Sequence, residues 1–228
     1  EIILFDKNTK TYILNPDIEF NFLPISLGFD GVAIQQNKSI VSSRSDICIK
    51  SEIINGVIRP TPLIASNMSS VCNSEFCKLL YKLGGFGVLH RAMTSTEMIN
   101  ETKKIANECE FVAVSIGINN DQFDLMKSLV SSGANIIFID VAHGFSDSAI
   151  EMCKNIKKYD KHIKVVLGNT INEKIFIEVY KYIDALKVGI AQGFACETKN
   201  TAGCTEKQFS SIWKFRKFAF DFGVSIIS

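Results

Sequence analysis

Asn135-Ile-Ile-Phe-Ile-Asp140-Val-Ala-His143-Gly144, the mixed segment 146–159 and Ile163-Lys-Val-Val-Leu-Gly-Asn169 together form the stretch that decides the fold. The two apolar runs are short and nearly continuous in Ile, Val, Leu and Phe, the pattern of strands buried on both faces of a parallel sheet. Residues 146–159 mix charged and apolar side chains and fit a crossover helix, so the unit reads as strand, helix, parallel strand. The same alternation continues outward in both directions. Apolar runs recur at 62–66, 85–90 and 111–117 upstream and at 185–190 and 223–228 downstream, and 121–132 fits another helix. An open doubly wound sheet and a (β/α)8 barrel both accommodate repeated units of roughly 20 to 28 residues. Polar residues at the carboxyl ends of most runs, Ser66, Asn67, His90, Asp140, His143, Asn169 and Cys196, favour the barrel, whose active site collects at that rim.

The expectation is therefore an α/β protein, a single (β/α)8 TIM barrel over residues 1–228 with about seven strands in the sequence. The eighth βα unit and the last rim loops are expected from residues after Ser228 or from a partner. Residues 1–59 lack a helical period and are rich in turn formers, so they are expected as an irregular segment against the barrel floor or side.

Composition narrows the function. Lys and Arg total 25 against 24 Asp and Glu, a formal net charge of +1, and no basic block is present to neutralise a phosphate backbone, which argues against nucleic acid. No apolar run approaches the ~18 residues a spanning helix needs, and the opening Glu1-Ile-Ile-Leu-Phe-Asp6 lacks the features of a signal peptide. No membrane partner and a cytoplasmic location are expected. Seven cysteines, an odd number without CxxC pairs, read as reduced thiols rather than as disulfides or a zinc site.

Among these cysteines one has a distinctive setting. Leu186-Lys-Val-Gly-Ile-Ala-Gln-Gly193-Phe-Ala-Cys196-Glu-Thr198 places a thiol after a strand and a glycine-interrupted turn, with a hydroxyl two residues on. Exposed backbone amides in such a turn favour the thiolate, and a thiolate can attack an electron-poor ring carbon. Burial as a small hydrophobe is the alternative for Cys196. Asp140, ending an apolar parallel strand, suits a ribose hydroxyl, while Arg44 and Arg91 can clamp phosphate or lie solvated. His143 reads more simply as a satisfied polar residue beside Gly144. No GxGxxG or GxxxxGK[ST] stretch occurs.

Taken in order, these segments resemble the family of inosine monophosphate dehydrogenase and guanosine monophosphate reductase. The resemblance rests on Phe29-Asp-Gly-Val-Ala33, Val41-Ser-Ser43-Arg44-Ser-Asp46, Pro62-Leu-Ile-Ala-Ser66-Asn-Met68 and Gly87-Val-Leu-His90-Arg91. It continues through Ile139-Asp140-Val-Ala-His143-Gly144, Leu167-Gly-Asn169 and the segment 187–199 around Cys196. It implies that Cys196 attacks C2 of a purine nucleotide to give a thioimidate, with Thr198 in proton transfer and Ser66, Met68, Asn169 and Gly193 at the nucleotide. Ser43, Arg44, Arg91, Asp140, Val141, Ala142, Ile190 and Ala191 would lie along the dinucleotide. Backbone carbonyls of Ala191, Gly193 and Cys196 would hold a monovalent cation such as K+.

Direct passage from His90-Arg91 to Phe111, without a regulatory (CBS) insertion, favours the reductase: NADPH-dependent conversion of GMP to IMP with release of ammonia in purine salvage, by a homotetramer. The alternatives are an IMP dehydrogenase using NAD and a non-catalytic relative that binds nucleotide. Ala191 stands where the family pattern has a glycine, and Phe194 and Glu197 flank the cysteine in place of its usual neighbours.

Overall fold

A computed structural model describes residues 2–5, 11–14, 26–193 and 203–228. Strands β1 (Ile2–Phe5), β2 (Thr11–Leu14) and β3 (Val32–Ile34) make a small antiparallel sheet in the order β2-β1-β3. Strands β4 (Ser51–Ile54) and β5 (Val57–Arg59) form a hairpin whose two-residue connection is Asn55-Gly56. Gly56 sits at φ +80, a conformation open to glycine and costly for most residues, and Asn-Gly is the favoured pair for such a turn.

From there the chain alternates regularly. β6 (Ile64–Ala65), α1 (Ser74–Lys82), β7 (Phe86–Leu89), α2 (Ser95–Ala106), β8 (Ala113–Ile116), α3 (Gln122–Ser131) and β9 (Ile136–Asp140) come first. Then follow α4 (Asp147–Tyr159), β10 (Lys164–Thr170), α5 (Ile175–Val179), β11 (Ala185–Val188), α6 (Gln208–Phe222) and β12 (Ser225–Ile227). The strands from β6 to β12 are parallel and lie side by side in chain order. That order separates the two architectures open at the outset. A doubly wound sheet reverses its strand order at a switch point, and this sheet never does, so it is part of a (β/α)8 barrel.

Burial on both faces accounts for the apolar runs. Leu89, Val114, Ile116, Ile137, Ile139, Val165, Leu167 and Leu186 pack outward beneath Met98, Met126, Leu129, Ile150, Phe176 and Phe215 of the helices. Their chain neighbours Phe86, Val88, Ala113, Ile136, Phe138, Val166 and Ala185 turn inward and meet Ile53, Ile54 and Val57 of the β4–β5 hairpin. The hairpin thus plugs the barrel interior.

The floor is tied together by Asp184. Its carboxylate accepts from Lys157 Nζ at 2.6 Å, Lys164 Nζ at 3.2 Å and the Val165 amide at 2.8 Å, and its carbonyl accepts from the Asn55 and Ser225 amides. The hairpin turn and the starts of β10, β11 and β12 are held as one unit, leaving the opposite rim free to carry chemistry.

Segment 1–59, expected as irregular, contains five short strands among its described residues. They escape a search for long apolar runs because each has only three or four residues, although Asn55-Gly56 is a local hairpin signal.

Candidate active site

The carboxyl ends of β7, β8 and β9 lie in adjacent positions, and side chains from the outer two meet across the middle one. Arg91, two residues after β7, places Nε 3.7 Å from Oδ2 of Asp140, the last residue of β9. Gly117, just past β8, lies under the guanidinium: a Cβ there would be 3.5 Å from Arg91 Nη1. The ion pair is long and its side chains are 48% and 31% exposed, so it contributes little to stability and leaves both groups able to engage a ligand. A guanidinium beside a carboxylate offers one partner for a phosphate and one acceptor for a sugar hydroxyl.

The next two strand ends are knitted by main chain. Val141 N donates to Gly168 O at 3.0 Å, Asn169 N to Val141 O at 2.7 Å and Gly144 N to Asn169 O at 2.8 Å. A Cβ on Gly144 would come within 3.1 Å of Asn169 O and 3.2 Å of Gly168 C, backbone atoms that cannot move aside cheaply. Glycine at 144 is therefore what lets the loop after β9 lie on the end of β10. From β10 the Asn169 side chain donates through Nδ2 to Gly189 O at 2.8 Å. Asn169 thereby anchors the turn from which the cysteine segment departs.

That turn is held from the other side as well. Gln208, the first residue of α6, donates through Nε2 to Val188 O at 3.0 Å, and Thr205 Oγ1 donates to Ile190 O at 3.0 Å. Gln192 Nε2 donates to Ile190 O at 3.3 Å and also to Glu206 O. Gly189, at φ +113, leaves room for the Gln208 amide, since a Cβ would fall on Gln208 Oε1. Sequence reasoning overlooked Gln208 and Thr205. They lie beyond the cysteine, and the available signal was only a polar residue opening a helix that returns to the same strand end. Ala191, where the family pattern has glycine, adopts φ +57, the left-handed region that strains a residue with a Cβ.

The remaining predicted residues divide clearly. Ser66 and Met68 are exposed in the loop after β6, where Met68 N donates to Ser66 O at 2.8 Å. Lys187, on β11, donates to Asn67 Oδ1 at 3.4 Å, bringing that loop towards the β11 end. Ile190 is buried, Val141 is half-buried, and Ala142, His143 and Gly193 are exposed. His90 is buried and accepts from Ala92 N at 3.1 Å, a structural contact within its own loop.

Ser43 and Arg44 belong to a separate turn in which Ser43 N donates to Asp46 Oδ2 at 3.1 Å and Ser43 Oγ accepts from Ser45 N at 3.3 Å. Among the described residues no hydrogen bond or ion pair joins this turn to Arg91 or Asp140. Cys196 and Thr198 lie outside the described residues, as does one of the three carbonyls expected to hold a cation. Of the thiols that are described, Cys72, Cys77, Cys109 and Cys153 are buried, and burial pushes Cys153 up to about 12. No group of three or more His, Cys, Asp and Glu side chains suited to a metal ion occurs among the described residues. No helix among them is long and apolar enough to cross a membrane.

A profile of the IMP dehydrogenase / GMP reductase domain matches residues 26–228, which includes the hairpin and every strand of the barrel sheet. The chain belongs to this family. Within it, a GMP reductase of Streptococcus agalactiae serotype V is 30% identical over 185 residues, 81% of this chain and 56% of the relative. GMP reductases of Helicobacter pylori strain G27 and Staphylococcus epidermidis RP62A are 31% and 32% identical over 178 residues, 77% of this chain and 54% of each relative. The chain spans about half the length of the curated relatives it matches. The family match covers the Arg91–Asp140 pair, Asn169 and the Gly189 turn, so the rim geometry belongs to the family domain.

Proposed function

We propose that the intact protein reduces GMP to IMP with NADPH: GMP, NADPH and two protons give IMP, NADP+ and ammonium. The observation that carries this reading is the rim itself, where the Arg91–Asp140 pair and the Asn169-anchored Gly189 turn stand on neighbouring strand ends at the base of the cysteine segment. Single-helix passage from β7 to β8, with no inserted domain, and relatives named GMP reductase favour reduction over IMP oxidation.

In this reading the Cys196 sulfur adds to C2 of the purine, the bond from C2 to the exocyclic nitrogen breaks so that ammonia departs and a thioimidate remains, and the C2–S bond breaks once C2 has been reduced, freeing the thiol. Thr198 relays the proton released by the thiol. Asn169 and Gln208 hold the turn at Gly189 so that the thiol meets C2 in a fixed approach, since misplacement of a nucleophile costs rate steeply. Ser66, Met68 and Gly193 face the nucleotide. The donor set suits a dinucleotide: Asp140 accepts from a ribose hydroxyl, Arg91 pairs with phosphate, and Ser43, Arg44, Val141, Ala142, Ile190 and Ala191 line its length. The nicotinamide, when bound, supplies the hydride that reduces C2. Backbone carbonyls of Ala191, Gly193 and Cys196 would hold a monovalent cation, which would supply positive charge at the base of the cysteine segment.

The test is consumption of reduced nicotinamide in the presence of GMP, measured together with ammonia. Equimolar loss of NADPH and release of ammonia is expected, falling at least about a thousandfold in Cys196→Ala. Undiminished turnover in Cys196→Ala, or nicotinamide reduction with IMP and none of the reverse, would overturn the proposal.

A further inference from the structure

Two cysteines that the proposed chemistry leaves unused stand together beneath the loop that follows β6. Cys72 and Cys77 are 0% and 2% exposed, and their sulfurs are 3.3 Å apart in a thiol–thiol hydrogen bond. Their positions on α1 are specific. Asn73 is the N-cap, accepting from Phe76 N at 2.9 Å, so Cys72 is the residue before the cap and Cys77 the fourth residue of the helix. Those are the two places that pack against each other as a hydrophobic staple at a helix start. Here both partners carry sulfur. Gly87 of β7 makes the notch that receives them, because a Cβ there would lie 2.9 Å from each sulfur.

We infer that Cys72 and Cys77 form a reversible dithiol–disulfide site, oxidised by hydrogen peroxide, that covalently closes the first turn of α1. A disulfide needs sulfurs at about 2.05 Å, so closure is a movement of little more than roughly 1 Å shared by two side chains. The hydrogen bond from Cys77 lowers the pKa of Cys72 and raises that of Cys77, which casts Cys72 as the attacking thiolate and Cys77 as the resolving thiol. Cys72 attacks one peroxide oxygen, the O–O bond breaks, and the departing hydroxide takes up the thiol proton as water, leaving a sulfenic acid. Cys77 sulfur then attacks Cys72 sulfur, the S–O bond breaks, and the Cys77 proton completes a second water. Two thiols and one peroxide thus give one disulfide and two waters.

Access comes through the loop above the pair. Met68 and Val71 are 56% and 41% exposed, and Cys72 N and Val71 N both donate to Met68 O at 2.9 Å, so opening one short loop admits a small oxidant. The same bonds make the cross-link a brace on that loop. The site stands on the α1 geometry alone and does not depend on the nucleotide reading.

The test is a disulfide map of the intact protein after peroxide treatment, with remaining thiols alkylated under denaturing conditions and the digest kept unreduced. The peptide holding both residues should lose two hydrogens and take up no alkylating agent, and dithiothreitol should restore both thiols. Amide exchange at Val71 and Cys72 should slow in the oxidised form. In Cys72→Ala, Cys77 should become fully alkylatable. Alkylation of both residues after peroxide has oxidised Cys48 and Cys204, or a link from Cys77 to Cys109, would overturn the inference. The wild-type map decides the matter even if the variant fails to fold, and no nucleotide is needed for it.

Discussion

Replacing Asp184 by asparagine takes one charge out of the barrel floor and leaves two ammonium groups facing it. Asp184 is buried, with Lys157 Nζ at 2.6 Å and Lys164 Nζ at 3.2 Å, and the lysine side chains are 16% and 32% exposed. Breaking a buried pair by removing one partner costs about 3–5 kcal/mol, chiefly because the other charge stays buried and unpaired. Lys164 can turn to water, so the lower end, about 3 kcal/mol, applies, and in a chain of this length it lowers Tm by about 6–12 °C. Asparagine still offers Val165 N an acceptor in place of the 2.8 Å bond, so Asp184→Ala should cost about 1 kcal/mol more.

Thermal and urea unfolding of Asp184→Asn, Lys157→Met and the double variant give the coupling. The double variant should recover much of the loss, since an apolar side chain then replaces the uncompensated charge. Nucleotide affinity of folded Asp184→Asn should stay within a factor of two, because this network lies at the end of the barrel opposite Arg91 and Asp140. A loss below about 1 kcal/mol in Asp184→Asn, or no recovery in the double variant, would refute the claim that this network ties the floor together.

Other consequences concern packing, backbone and pH. Phe176 is fully buried and its ring centroid lies 5.7 Å from Phe215, 6.1 Å from Phe218 and 6.2 Å from Phe222, so Phe176→Ala should detach α5 from α6 at a cost of about 3–5 kcal/mol in chemical denaturation. Ala191→Gly should raise stability by about 0.5–1 kcal/mol, because relief of the left-handed strain at φ +57 outweighs the extra freedom of glycine in the unfolded chain; an unchanged or lowered Tm would contradict this. Hydrogen bonds from Lys82 first and Lys78 second hold the Glu108 carboxyl down to about 2. A depressed folded value means the contribution is complete above the unfolded value of about 4.3 and disappears as pH falls towards 2, so Glu108→Gln should flatten the acid limb of the stability curve between those values, and added salt should shrink the difference.

The barrel strands were readable because they are buried on both sides. The run 135–140 became β9 at Ile136–Asp140 and 163–169 became β10 at Lys164–Thr170, as near-continuous apolar sequence requires when one face meets helices and the other meets a plug. The segments 121–132 and 146–159 became α3 and α4 within a residue at each end, the latter started by Ser146 accepting from Ala149 N. The plug itself was not foreseen. Its strands are too short for periodicity to register, and its signal was two residues, Asn55-Gly56. At the rim, residue type at a strand end was enough to locate Asp140 and Asn169, but not to say what they do. The resemblance puts Asn169 at the nucleotide, and its Nδ2 also donates to the carbonyl of Gly189, a contact that residue type alone does not announce. Gln208 and Thr205 support the same turn from α6 and from the segment just before it, a tertiary relation that no local pattern encodes. The pairing of Arg91 with Asp140 depends on the spatial adjacency of β7, β8 and β9, which follows from the strand order once the barrel is accepted.

The central claim is a covalent purine intermediate on the segment that leaves the Gly189 turn. The most direct measurement is acid quenching of the intact protein during turnover with GMP and NADPH, followed by peptide mass mapping. A purine nucleotide adduct on the peptide containing Cys196, present in wild type, absent in Cys196→Ala and increased when hydride transfer is slowed with deuterated cofactor, is the predicted result. Full turnover with no adduct on that peptide, or an adduct on another cysteine, would contradict the account.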